Sequence, residues 1–230
     1  MKGVAQNTVA VLNRLCEFEC IKDYTMIGGT ALSMQIGNRL SEDIDFCRWK
    51  GNKSEKQNVN CTHIEKEFSK IGEFRKDILS DNQVDYIVNN VKISFFCNYL
   101  NKQPVGLKPL LIKGNLKIAD LQSIGIMKLE VMLYRSTYRD YYDIYSIVKE
   151  GIDFNAIVKG VLEYSNHKLR TRDILSTLSD STRFPSEKGL HHLSPKYNVS
   201  PKNIEDFLRS FIQNYNNQII NEQTKTFSPS

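Results

Sequence analysis

The sequence predicts an α/β protein: a mixed sheet with helices in the N-terminal half, followed by a helical C-terminal half. Two observations carry this. Between Tyr24 and Ile118, short apolar or alternating runs recur between polar breaks, and two of them, Val84–Val88 and Val91–Phe96, flank the pair Asn89-Asn90. Adjacent asparagines tolerate the positive φ of a tight hairpin turn, so these runs read as antiparallel neighbours. Beyond Ala119 the apolar spacing changes to a helical period almost to the end. The expected division is an α/β unit over residues 1–118, a helical unit over 119–222 and a flexible tail over 223–230.

In chain order, Val9, Leu12, Leu15, Cys16 and Phe18 mark an amphipathic helix, and Tyr24–Ile27 a strand. Gly28-Gly29 reads as a turn, Ala31–Gly37 as a short helix stopped at Gly37-Asn38, and Glu42–Trp49 as a strand. The polar stretch Lys50–Asn58 reads as a loop, and His63–Ile71 as a helix. After the hairpin, Pro104–Gly114 reads as a linker and Leu116–Ile118 as one more strand. Helices are expected over Asp120–Tyr134, Arg139–Lys149, Phe154–Tyr164, Thr171–Leu178 and Asn203–Asn217.

Composition narrows the class. The chain has 230 residues with a net charge of +5, and its pI of about 8.8 permits a polyanionic partner without requiring one. No apolar run reaches membrane-span length and the first residues form no apolar leader, so a cytoplasmic location is expected. Cys16, Cys20, Cys47, Cys61 and Cys97 are odd in number and lie on predicted helices and strands. Cys16 and Cys20 are one helical turn apart, but no second Cys/His pair follows at zinc spacing, so these read as structural thiols.

The chemistry concentrates in Gly28-Gly29-Thr30 and Asp43-Ile44-Asp45-Phe46. On a strand, residues two apart share a face, so Asp43 and Asp45 aim two carboxylates at one spot while Ile44 and Phe46 face a core. Two hard oxygen ligands suit Mg²⁺, which completes its shell with phosphate oxygens and water. Gly28 and Gly29 permit close backbone approach, and the following helix start with the Thr30 hydroxyl offers an anion cradle. Alone, a carboxylate pair two apart is ordinarily a solvated strand face, and a Gly-Gly an ordinary turn. Together, in this order and separated by an amphipathic helix, they form a phosphate site beside a metal pair.

The string GGTALSMQIGNRLSEDIDF resembles the signature of polymerase-β-like nucleotidyltransferases, and within them the AbiEii/AbiGii-type nucleotidyltransferase toxins of bacterial abortive-infection and toxin–antitoxin systems. Gly29, Thr30, Ala31, Leu32, Gly37, Arg39, Ser41, Asp43, Asp45 and Phe46 carry the resemblance. A second block, Lys128 followed by Arg135-Ser136-Thr137-Tyr138-Arg139-Asp140-Tyr141-Tyr142-Asp143, is similar to that family's later motif. Taken by itself, the second block is a solvated helix laced by ion pairs worth about 0.3–0.5 kcal/mol each.

The resemblance implies a polymerase-β-like nucleotidyltransferase core with a mixed sheet, followed by a C-terminal helical domain. It implies Mg²⁺-dependent transfer of a nucleoside monophosphate from an NTP to an acceptor hydroxyl, with the tRNA 3′ end among the candidate acceptors and an antitoxin as a partner. Asp43 and Asp45 are then the metal ligands. Gly28, Gly29, Thr30, Arg39, Ser41 and Lys128 bind the nucleotide, and Asp140 and Asp143 join Lys128 in the catalytic set. Lys128 is expected to face the cleft and hold phosphate as a point charge, on a helix whose inward stripe is Ile124, Met127, Val131 and Tyr134.

One departure stands out. The superfamily's third carboxylate falls where this chain has Ser94. Asp143 or Asp140 is expected to replace it ahead of Asp85, which faces the cleft only if the hairpin register allows. Three other readings stay open: a small-molecule nucleotidyltransferase such as an antibiotic-modifying enzyme, a protein nucleotidyltransferase, and a non-catalytic nucleotide or RNA binder.

Overall fold

The computed structural model describes residues 1–49, 58–98, 102–185, 190 and 192–226. Seven strands form one sheet in the order β3-β4-β5-β2-β1-β7-β6. They are β1 (Thr25–Ile27), β2 (Ile44–Trp49), β3 (Phe74–Ser80), β4 (Gln83–Val88), β5 (Val91–Asn98), β6 (Leu110–Lys113) and β7 (Leu116–Ile118). The sheet is mixed: β1 runs antiparallel to β2 and parallel to β7, while β2 runs parallel to β5. The hairpin forms as expected, with Asn89 at φ 49° and Asn90 at φ 61°. That two-residue turn sets the register Val88↔Val91 and, three pairs further on, Asp85↔Ser94.

Three helices accompany the strands: α1 (Gln6–Leu15), α2 (Gly28–Ile36) and α3 (Cys61–Phe68). On one face of the sheet, Tyr24, Phe46, Phe68, Tyr86 and Phe95 make a continuous aromatic cluster, with Phe46 and Phe95 stacked at 5.3 Å between centroids. The alternation of β2 and β5 turns Asp45, Cys47, Ser94 and Phe96 to the opposite face, which lines the cleft.

The helical half comprises α4 (Leu121–Met132), α5 (Tyr138–Lys149), α6 (Phe154–Tyr164), α7 (Thr171–Leu178) and a long α8 (Pro201–Thr226). Asp120, Thr137 and Asp153 cap the first three with side-chain oxygens. Glycine lets α4 and α6 cross closely, because a Cβ on Gly160 would overlap Ile126. Tyr142 reaches back from α5 to the carbonyl of Asn38 at 2.9 Å, and Leu40 N–H donates to Leu193 O at 2.6 Å. The segment leading into β2 is therefore gripped by the helical half, and one buried apolar cluster runs through both halves.

Several expectations need correction. Gly28-Gly29 is not a free turn: α2 begins at Gly28, directly after β1, and ends where Gly37 adopts a left-handed conformation at φ 58°. Asp43 lies just before β2 rather than within it. Strands β3 and β6 were not foreseen. Both are sheet edges whose side chains are almost all exposed, so neither carries the apolar alternation that marks a half-buried strand. Helix α8 continues to Thr226, past the expected end at Asn217. Tyr134 is 58% exposed instead of completing the inward stripe of α4, because the helix ends at Met132. The expected tail is helical over 223–226, whereas residues 50–57 of the assigned loop and 227–230 lie outside the described residues.

Candidate active site

The cleft lies between the Asp45 face of the sheet and helix α4, and two cavities meet at Asp45. One, of about 390 Å³, is walled largely by apolar side chains including Ile27, Phe96, Ile124, Met127 and Val131. The other, of about 380 Å³, is walled by Asp43, Ser94, Lys92, Arg135, Arg139 and Asp140 among others. Gly29, Asp45, Lys128 and Arg135 border both.

Asp43 and Asp45 converge on the polar cavity, the first exposed, the second partly covered at its floor. Gly28 sits under Asp45 with φ +74°, and a Cβ there would stand 2.5 Å from Asp45 Oδ2. Only glycine provides both that backbone conformation and the space. Burial, then the neighbouring Asp43 charge, push the Asp45 carboxyl up to about 6 against the opposing pull of Lys128 and Lys92. An incompletely compensated acid pair with oxygen-only donors fits a hard divalent cation that takes its remaining ligands from phosphate and water. Among the described residues no third His, Cys, Asp or Glu completes a metal cluster with the pair.

Thr30 and Ser41 are buried, with their hydroxyls 2.9 Å apart, and the Thr30 hydroxyl also donates to the carbonyl of Asp43. Expected in the phosphate cradle, both hydroxyls here fasten the start of α2 to the segment that presents Asp43. Arg39, expected at the nucleotide, is likewise engaged within the fold. It is buried, and its Nε and Nη2 each donate at 2.9 Å to the two oxygens of Asp143.

Lys128 points inward and borders both cavities, but its ammonium is already held, 2.7 Å from Asp140 Oδ1 and 2.9 Å from Asp143 Oδ2. Burial disfavours its charge, but the two carboxylates outweigh burial and raise its pKa. Two of its three donors are thus engaged as a counter-ion at the base of the cleft, beside both cavities where a triphosphate would bind. Asp143 is inaccessible and accepts from Asn38 as well as Arg39 and Lys128. Burial opposes its ionisation, and Arg39 and Lys128 overcome this to hold its carboxyl below the ordinary range. Asp140 accepts from Lys128, Arg135 and Thr137, and the same balance depresses it strongly. Both acids are thus saturated by donors, which corrects the expectation that one of them stands in for a carboxylate at Ser94.

The register supplies a different acid. Asp45 on β2 pairs with Ser94 on β5, and Ser94 pairs with Asp85 on β4, so the three lie in a row across one face. Arg135, whose side chain is 59% exposed, belongs to the second sequence block without a role assigned to it there. It follows the end of α4 at Met132, so its place at the cleft comes from the turn into α5 and not from a shared helical face. The apolar cavity had no sequence signal, since its walls come from seven elements spread from β1 to α6. The five cysteines are free, four of them buried.

A helix N-terminus and a carboxylate pair at the centre of a mixed sheet, roofed by a helical half, define a nucleotidyltransferase fold. The chain belongs to the AbiEii family: the family model described as "Nucleotidyl transferase AbiEii toxin, Type IV TA system" matches residues 10–216. An uncharacterised protein of Aquifex aeolicus (strain VF5) is 23% identical over 186 residues, spanning 72% of this chain and 85% of that one. Among solved structures, JHP933 from Helicobacter pylori superposes with a TM-score of 0.55 at 15% identity, covering 96% of this chain and 94% of that one. MenT4, a nucleotidyltransferase toxin from Mycobacterium tuberculosis H37Rv, gives a TM-score of 0.55 at 15% identity, with 90% and 80% covered. At these identities the two structures show a shared fold. Among the described residues, no helix is long and apolar enough to cross a membrane.

Proposed function

We propose that this protein is a toxin that transfers a nucleoside monophosphate from an NTP to an acceptor hydroxyl, releasing pyrophosphate. The observation that carries the reading is the Asp43/Asp45 pair at the meeting point of an apolar and a cationic cavity. The apolar cavity has the size and lining for a base and ribose. The phosphates then lie over the first turn of α2, where amide N–H groups lack intrahelical partners, and Arg135 at the common border neutralises the departing pyrophosphate.

Asp43 and Asp45 would hold Mg²⁺, which when bound supplies Lewis-acid polarisation of the reacting phosphate. Lys128 and Arg39 keep Asp140 and Asp143 ionised and fixed, so the cleft wall is preorganised before substrate arrives. The acceptor hydroxyl enters from the polar side, past Asp43, Lys92 and Ser94.

We assign the acceptor to RNA, with the tRNA 3′ end as the leading candidate, since a chain of net charge +5 attracts a polyanion. The toxin–antitoxin family description supports a cognate antitoxin, and an NTP substrate with an RNA acceptor fits a cytoplasmic location. The test is incubation of the pure protein with Mg²⁺, each labelled NTP in turn, and total tRNA, beside Asp43→Asn and Asp45→Asn. Label should pass to RNA with the native protein and fall at least 10²-fold with either variant. Transfer at native rates by both variants, or none by the native protein to tRNA, small molecules or protein, overturns the reading.

A further inference from the structure

One oxygen of Asp85 has no hydrogen-bond partner among the described residues. The residue is 8% exposed, and its Oδ2 forms a 2.7 Å ion pair with Lys92, while Oδ1 is buried and accepts no hydrogen bond among the described residues. An unpaired buried acceptor costs about 1–3 kcal/mol, more when charged, and in folded proteins such a group calls for an explanation. The sheet register says where Oδ1 lies. Asp85 sits opposite Ser94, which sits opposite Asp45, so Asp85 shares the face that carries the proposed metal pair, two strand spacings (about 10 Å) from Asp45. Lys92 borders the polar cavity, and Asp85 stands beside it as its ion-pair partner.

We propose that Asp85 is the proton acceptor of the transfer reaction, drawing the proton of the acceptor hydroxyl to Oδ1 through one water seated at Ser94. The inference rests on the transferase reading above. The span between Asp45 and Asp85 has room for the attacking oxygen and a single water, which is within the reach of general-base catalysis. Four other acids of the cleft are committed elsewhere. Asp43 and Asp45 face the cation site, and every oxygen of Asp140 and Asp143 receives a donor. Lys92 occupies Oδ2, so Oδ1 is the one position on Asp85 left for the incoming proton.

The step balances. The acceptor oxygen forms a bond to the α-phosphorus as its proton passes through the water to Asp85. The bond from that phosphorus to the α,β-bridging oxygen breaks, and pyrophosphate leaves with the electron pair. Asp85 then returns the proton to solvent.

Steady-state transfer by the full chain, with NTP binding and melting temperature measured in parallel, tests this. Asp85→Asn should lower kcat by about 10²–10⁴-fold while KM and Kd for the NTP stay within about twofold, and Asp85→Glu should recover part of the loss. Native kcat in Asp85→Asn overturns the proposal, as does a loss confined to KM or a glutamate variant no better than asparagine. Should Asp85→Asn not fold, Ser94→Ala decides: lowered kcat at constant KM supports the water-mediated route, and native kcat overturns it. Failure of the native protein to transfer nucleotide overturns the transferase reading itself, whereas an active native protein with an unaffected Asp85→Asn overturns the assignment of Asp85 alone.

Discussion

Arg39 and Asp143 meet in a two-pronged ion pair, with both bonds at 2.9 Å and neither side chain accessible to solvent. Arg39 stands four residues before Asp43, and Asp143 is in the middle of α5. The pair therefore joins the segment presenting the proposed metal ligands to the helical half. The guanidinium also passes under Gly29, where a Cβ would stand 2.6 Å from Nη2. One buried contact thus couples the position of the helical half, the start of α2 and the approach of Asp43.

Removing either partner leaves a buried charge without compensation, so Arg39→Met and Asp143→Asn should each cost about 3–5 kcal/mol of unfolding free energy. Arg39→Lys should fall between these and the native protein, because an ammonium cannot make the forked contact. Denaturant titration measures all three. A cost below about 1 kcal/mol for Arg39→Met would place the pair among ordinary surface bridges.

Lys128→Met should destabilise the fold as well as impair transfer, since it strips a shared cation from Asp140 and Asp143. Both acids are depressed in the folded state, so they contribute stability above the ordinary carboxylate pKa, which is lost as pH falls through the folded values. In the native protein that loss begins below about pH 4; in Lys128→Met the two acids are less depressed, so the loss below pH 4 should be smaller. Thermal melts across pH 2–7 test this, and superimposable profiles would count against the counter-ion role.

Asp45 has the opposite sign. Its carboxyl is raised to about 6, so the metal-free protein gains stability from this group as pH drops below 6 and loses it as pH rises through 6. Asp45→Asn should therefore stabilise the metal-free protein at pH 8, by about 1–2 kcal/mol after allowance for its partial solvent access. The difference should vanish near pH 4. Mg²⁺ affinity of the native protein should weaken below pH 6, as protons compete for the site. Calorimetric melts and metal titrations at three pH values decide it, and an unchanged stability gap from pH 8 to 4 would be the contrary result.

Gly28→Ala should cut transfer severely with the fold kept. The new Cβ would strain the backbone at φ +74° and press on Asp45 Oδ2, at a cost of about 1–2 kcal/mol in stability. Displacing a ligand carboxylate by even 1 Å costs about 10²-fold in rate. Native activity in this variant would show that the tight seat of Asp45 is incidental.

Much of the architecture is legible in the chain. The two-asparagine turn sets the hairpin, Gly37 stops α2, and the periodicity of Phe154–Tyr164 and Thr171–Leu178 marks α6 and α7 at the bounds the structure shows. Even the pairing of Asp85 with Ser94 follows from counting back from a two-residue turn. The edge strands β3 and β6 left little trace because exposure removes the selection for alternating apolar side chains.

Residue types and short-range spacing, which act along a few turns of backbone, determined most of the elements and the carboxylate pair, while the seat of Asp45 on Gly28 is a tertiary contact. Which polar groups remain available was decided by tertiary structure alone. Thr30, Arg39, Ser41 and Lys128 all read from the chain as ligands for phosphate, and folding spends each on a partner that is at least 11 residues away. Asp85 is the converse, a hairpin residue ranked behind Asp140 and Asp143 in the sequence and left with one oxygen that finds no partner among the described residues. Hydrogen-bond satisfaction is a property of the assembled interior, where groups distant in sequence compete for the same donors and acceptors.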